Sequence, residues 1–228
     1  MFYNLFGKNV ARKYWLKKTQ SEVMRNYLQQ PYDSRRKLIK ETEIVSLDIE
    51  TTGLDAKKDR IVSIGLVRIS ELGINLNTCW HKIIKTNKEL PEKSVVIHNI
   101  TDDENAAGIA IEDAIAGLLK QLKGKVVLVH NLNIEQGFIN AACQKLYQTD
   151  FIMRVIDTQV LAKRSFERQG RSYRPTELRL FNLRKPYKLP PYKAHNALLD
   201  AIATAELFLA MLPTISADNN ARLGDFLS

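Results

Sequence analysis

The sequence is poor in the residues that build cross-links, stiff spacers and disordered tracts. It has two cysteines, Cys79 and Cys143, among 228 residues. They make neither a disulfide framework nor a thiolate metal site, so a reducing, cytoplasmic setting is the default. Seven prolines and ten glycines exclude a collagen-like or low-complexity chain. No stretch approaches the ~20 apolar residues of a membrane span. Residues 1–18 interleave aromatics with charges and hold no apolar run, which argues against a secretory signal. With 45% apolar and 26% charged residues, the chain has a globular composition. Its length suits one medium α/β domain with an appendage.

Acid is scarce relative to base: 34 Lys/Arg stand against 25 Asp/Glu, a net charge of +9. The excess is concentrated. Residues 1–41 carry +7 and residues 163–193 carry +8, on an otherwise mildly acidic body. Such segments suit a polyanionic partner, solvated basic faces being the plainer alternative. The first segment also holds Phe2, Tyr3, Phe6, Tyr14, Trp15, Tyr27 and Tyr32. These aromatics serve either to stack on nucleic acid or to pack on the neighbouring domain. Pro31 marks the end of a helical stretch there. Residues 1–42 are read as a basic extension, 43–213 as the main domain and 214–228 as a short tail.

From about residue 43 the pattern is α/β. Ile44–Ile49, Ile61–Ile69 and Ile74–Ile84 read as strands. Gly73 sits where a tight turn would join the second and third as a hairpin. Ile111, Ile115, Leu118, Leu119 and Leu122 recur at helical spacing, and Gly124 ends that helix. The apolar run Val126–Val129 suits a strand buried on both faces. Phe138, Ile139, Ala142 and Leu146 give another helix. The last long one runs from Leu198 to Leu212 and is expected to stop at Pro213. The order predicts a mixed sheet with helices on its faces.

The sharpest local feature is Asp48-Ile-Glu-Thr-Thr-Gly-Leu-Asp55. Residues two apart on a strand share a face, so Asp48 and Glu50 point together. Two adjacent carboxylates repel each other, and a divalent cation between them reverses that penalty. The following Thr51-Thr52-Gly53 supplies hydroxyls and a close-approach backbone for a phosphate or nucleotide. His130-Asn131 follow the buried strand, and Glu135 lies in the first helical turn, where the helix dipole favours an acid by ~0.3–1 kcal/mol. His195 and Asp200 are five apart, about 140° around an ideal helix. His195 therefore belongs in the loop before the helix, with Asn196 as N-cap, and the two side chains converge from different directions.

Together these residues resemble the DEDDh 3′–5′ exonucleases of the DnaQ-like group, which includes the proofreading epsilon subunits of bacterial replicative DNA polymerases. Asp48, Glu50, Thr51 and Gly53 match the first motif, and His98-Asn-Ile-Thr101 resembles the element after the third strand. His130-Asn-Leu-Asn-Ile-Glu135 matches the second motif in part. His195 and Asp200 match the third, and Asp157-Thr158 resembles a dipeptide that follows the fifth strand. The resemblance spans about residues 43–212. It implies a ribonuclease-H-like fold, a five-stranded mixed sheet flanked by helices. It also implies two divalent ions, Mg²⁺ or Mn²⁺, held by Asp48, Glu50, Glu135 and Asp200, with His195 as general base. Substrate contacts would come from Thr51, Gly53, Leu54, His98 and Asn131. The expected reaction is removal of 5′-mononucleotides from a DNA 3′ end in a bacterial cytoplasm, with a polymerase or repair partner docked through residues 1–42. RNA trimming and a catalytically weakened binding protein are the alternatives. The departure is Glu135, which stands where the family has Asp, with Ile134 where it has Phe. The extra methylene calls for a small helix shift or looser binding of the second ion. Between Asp157 and the third motif, Arg164, Arg168, Arg171, Arg174, Arg179 and Arg184 are expected to offer phosphate contacts.

Overall fold

The computed structural model describes residues 7–86, 100–216 and 220–228. A five-stranded mixed sheet runs in the order β3-β2-β1-β4-β5. Its strands are β1 (Ile44–Thr51), β2 (Ile61–Ser70), β3 (Gly73–Ile83), β4 (Val126–Val129) and β5 (Arg154–Asp157). β1 pairs antiparallel with β2 and parallel with β4. The ribonuclease-H-like expectation thus holds in both strand number and mixed pairing.

The period-2 alternation of β1 assigns its residues to two cores. Val45, Leu47 and Ile49 enter one apolar cluster with Val127, Val129 and Val155. That face is covered by α4 (Ile111–Leu122) and α5 (Leu132–Tyr147), which follow the short helix α3 (Asp102–Ala106). Ser46, Asp48 and Glu50 take the opposite face. There α8 (Ala197–Ile215) lies across β1 and β2, and Ser46 Oγ donates to Ala201 O at 2.7 Å.

Two turns differ from the sequence reading. The hairpin residues are Glu71 and Leu72, at φ 51° and 59°. Gly73 instead opens β3 and pairs with Ser70. A two-residue turn matching the strand twist requires positive φ at both central positions, and side-chain-bearing residues here accept that cost. The last helix continues past Pro213 to Ile215. Proline removes one donor, but Ser216 N–H still closes the final turn on Leu212 O at 3.0 Å. α8 has 19 residues and an 18-residue stretch of mean hydropathy 1.7, long and apolar enough to cross a membrane by those measures alone, as the core helix of a folded domain also is. Its apolarity is used in packing on the sheet and against α6 (Thr158–Arg168) and α7 (Leu180–Arg184).

The N-terminal segment forms α1 (Lys8–Lys18) and α2 (Glu22–Gln29), ending before Pro31. Met24, Tyr27, Leu28 and Tyr32 are buried in the core beneath α4 and α5. The Tyr27 and Tyr32 hydroxyls both donate to Ile152 O, and Tyr27 stacks on Phe151 at 5.8 Å. Those two aromatics are packed rather than presented to a ligand. At the other end, Leu227 bridges Ile156 and covers the β5 edge. The short helix α9 (Leu223–Phe226) buries Leu223 and Phe226 against the α8 face.

Candidate active site

β1 ends at one edge of the sheet, and the acidic side chains gather there. Glu50 is buried at its last turn of pleat, and Asp48 lies half-buried beneath it. α5 begins just beyond β4 and brings Glu135, 2% exposed, over the same edge. Asp200, in the first turn of α8, comes from the opposite face. Ligand atoms of Glu50, His195 and Asp200 lie within 4.8 Å of one another.

His195 precedes α8, as its spacing from Asp200 predicts. Its backbone is left-handed, φ 67°, and its N–H donates to Asp200 Oδ2 at 2.9 Å. Asn196 caps the helix through Leu199 N–H at 3.1 Å. One oxygen of Asp200 thereby holds the loop that presents His195, whose side chain is exposed.

Glu135 is positioned from β5. Asn131 stands at φ 74° without a capping bond from its own side chain. The Asp157 carboxylate supplies the cap instead, accepting from Asn131 N–H at 3.2 Å and Leu132 N–H at 2.9 Å. It also accepts from Gln159 N–H at 2.8 Å at the start of α6. A single buried acid thus fixes the first turns of two helices. His130 bonds Thr158 at 2.8 Å, and burial pushes its pKa down to about 4.

The electrostatics are those of an acidic cluster in which burial and mutual repulsion outweigh the nearby His195 and Arg184. Burial pushes Glu50 up to about 8, reinforced by Asp200. Glu135 is likewise pushed up to about 8 by burial, with Asp157 adding to the rise. Asp48 is raised by burial and then by Glu135, Asp200 and Glu50. Asp200 is raised by burial, partly offset by the His195 N–H. No ion pair among the described residues involves these four acids. Glu135 Oε2 and Asp200 Oδ1 are buried with no hydrogen-bond partner. Unpartnered buried carboxylate oxygens are costly unless a cation takes them. An all-oxygen donor set with a neighbouring imidazole suits Mg²⁺ or Mn²⁺. The residues present therefore fit a divalent metal centre.

The remaining expected contacts are less uniform. Thr51 Oγ1 bonds Gly53 O at 2.6 Å and shapes the loop. Leu54 is 82% exposed at its tip. Asn131 sits at the start of α5 beside the acids. His98 lies outside the described residues. The basic segment requires a correction. Arg184 is 2% exposed and pairs with Glu206 at 2.7 Å, so it ties α7 to α8 and does not face a phosphate. Arg164 donates to Leu227 O, and Arg171 pairs with Glu177 over the Phe166 ring. Arg168, Arg174 and Arg179 remain exposed.

One residue that matters to the site was passed over in the sequence. Gly65 sits in β2 directly opposite Asp48. A Cβ there would lie 2.2 Å from both Ala197 C and Leu198 N. Its absence lets α8 settle backbone-on-sheet. A lone glycine inside the apolar run Ile61–Ile69 is the signal that marks such an approach.

The sequence profile of the Exonuclease (RNase_T) family matches residues 45–208. Over 167 residues the chain is 31% identical to DNA polymerase III subunit epsilon of Treponema pallidum, covering 73% of this chain and 75% of that protein. Over 165 residues it is 33% identical to the PolC-type DNA polymerase III of Thermotoga maritima, covering 72% of this chain but only 11% of that much longer protein. Among solved structures, the nuclease domain of 3′hExo, a DEDDh family member bound to rAMP, matches in fold with a TM-score of 0.66 at 14% identity. The match covers 78% of this chain and 95% of that one. The order of the motifs, the mixed sheet and these matches agree: the chain belongs to the Exonuclease (RNase_T) family, alongside the DNA polymerase III epsilon-like nucleases.

Proposed function

We propose that this protein is a metal-dependent 3′–5′ exonuclease that removes 5′-mononucleotides from single-stranded or frayed DNA ends, in a proofreading- or repair-like role in a bacterial cytoplasm. The observation that carries the reading is the convergence of Glu50, His195 and Asp200 within 4.8 Å, beside the unpartnered oxygens of Glu135 and Asp200.

Asp48, Glu50, Glu135 and Asp200 would hold two divalent cations, Mg²⁺ or Mn²⁺. Bound there, such cations stabilise negative charge on the phosphoryl group and on the attacking and leaving oxygens. His195, exposed at the mouth, accepts the proton of the attacking water on an imidazole nitrogen. The Thr51–Leu54 loop orients the terminal nucleotide. Glu135 is buried with one oxygen unpartnered, which favours a working carboxylate over a decayed one. A polymerase or repair partner would be met through the exposed face of α1, where Lys13, Tyr14 and Lys17 lie.

The test is degradation of 5′-labelled single-stranded DNA in Mg²⁺ or Mn²⁺, beside EDTA and Asp48→Ala controls. A ladder shortening from the 3′ end, lost in both controls, is the expected result. Uncut DNA in either metal would refute the reading, and faster loss of RNA of equal sequence would move the substrate class.

A further inference from the structure

A cleft of about 550 Å³ opens across the Thr52–Arg60 loop from the carboxylates. Its floor is apolar, formed by the half-buried Ala56, Ile111, Ala142 and Leu146 over the buried Ile61, Ile84 and Phe138. Its rim carries Lys57, Arg60, Lys85 and Lys145, all exposed. None of these four is in an ion pair among the described residues. A fifth cation, Lys58, pairs with Asp55 at 3.5 Å. Asp59 also lines the cleft, but its carboxylate is engaged by Thr52 Oγ1 and Asp55 N–H. The lining therefore presents unneutralised positive charge above an apolar surface.

The cleft and the acidic site share two walls. Ile61 pairs with Thr51 at the end of β1, and the Gly53 backbone packs directly on Asp59. Phe138 lies three residues after Glu135, on nearly the same side of α5. A polymer whose 3′ terminus sits at the carboxylates needs to cross only one short loop to enter. Flat apolar bases joined by phosphates match a floor of this kind beneath a cationic rim. The volume is in the range of a small-molecule site, enough for about one or two nucleotide-sized groups.

We propose that this cleft binds the nucleotides on the 5′ side of the scissile bond of a single-stranded polynucleotide. Lys85 and Lys145 contact phosphates and the apolar floor receives a base. The proposal rests on the exonuclease reading of the carboxylate site and adds a strand-holding subsite to it. The reacting nucleotide does not touch this cleft, so a substrate with a single nucleoside is blind to it.

The experiment compares the wild-type protein with K85E/K145E on two substrates, a ten-residue oligothymidylate and thymidine 5′-(4-nitrophenyl phosphate). Both lysines are exposed, and a thermal melt confirms the fold of the variant. The expected result is a KM for the oligomer raised about tenfold, with cleavage of the small ester unchanged within about twofold. The dependence of log KM on log salt should flatten by about 1.4, two single-strand phosphate contacts at ~0.7 each. An unchanged oligomer KM and salt slope would overturn the subsite and leave the rim for another ligand, such as an acidic peptide. If the wild type cleaves neither substrate, the exonuclease reading fails by itself. Fluorescence anisotropy with labelled oligothymidylate then judges the cleft separately: binding weakened in K85E/K145E supports it, and equal binding refutes it.

Discussion

Adding one methyl group at Gly65 should damage catalysis more than it damages the fold. The glycine faces the first turn of α8, and a Cβ built there meets Ala197 C and Leu198 N at 2.2 Å and Ala197 O at 2.5 Å. Ordinary carbon contacts need ~3.5–4.0 Å. All three neighbours are backbone atoms, so no side chain can rotate away. The helix start must therefore retreat by roughly 1.5 Å. That turn carries Asp200 and is preceded by His195, whose ligand atoms share a 4.8 Å cluster with Glu50. A retreat of this size is about a third of the cluster's width. Displacements near 1 Å cost about 100-fold when reacting groups must be aligned, whereas overpacking a core costs about 1–3 kcal/mol. Gly65→Ala should thus stay folded, melt several degrees lower and lose at least about 100-fold in kcat on single-stranded DNA. Gly73→Ala is the control, since its Cβ meets only Ser70 O at an ordinary 3.5 Å. Steady-state kinetics with thermal melts decide the matter. Wild-type kcat in Gly65→Ala would refute the claim that close packing of α8 sets the site.

Other outcomes follow from the same geometry. Tyr27→Ala should cost about 3–5 kcal/mol in denaturant unfolding, because it empties a buried aromatic position and removes one donor to Ile152 O. Asp157→Ala should lower stability by about 1–2 kcal/mol through two lost helix caps. It should also raise the cation concentration needed for half-maximal activity, because Glu135 loses its support; an unchanged requirement would remove Asp157 from the account. In EDTA, stability should fall as pH rises from about 5 to about 8. The folded-state pKa of Glu50 and Glu135, about 8, lies above the unfolded value, so the folded chain holds extra protons that it loses across this window. His130, held near 4, gives the opposite slope of one proton below about 6.5, and the two glutamates outweigh it. Thermal melts from pH 5 to 9 should decline with rising pH and level off above about 8, and added Mg²⁺ should remove the decline.

What the sequence made legible is what local periodicity controls. The i, i+2 spacing put Asp48 and Glu50 on one face of a strand, and the five-residue spacing put His195 outside the helix. Both hold because each depends only on backbone geometry within a few residues. Features set by tertiary contact were not legible. Gly65 looks like any strand glycine until α8 is laid on it. Arg184 looks like its exposed neighbours, yet the fold draws it against Glu206 and the backbone of α8. The turn at Glu71-Leu72 contains neither Asn nor Gly, so strand pairing overrode turn preference. Asp157 reads as a strand-end acid, and only the parallel β4–β5 pairing places it under the first turn of α5.

The central claim is that four carboxylates at one sheet edge hold divalent cations. Calorimetric titration of the protein with Mn²⁺ tests it most directly. The account predicts two equivalents bound by the wild type, loss of one in Glu135→Gln and loss of all heat in Asp48→Ala. Asp200→Asn, which keeps an acceptor for the His195 N–H, should stay folded and bind more weakly. Absence of Mn²⁺ binding at millimolar concentration, or equal binding by wild type and Asp48→Ala, would contradict it.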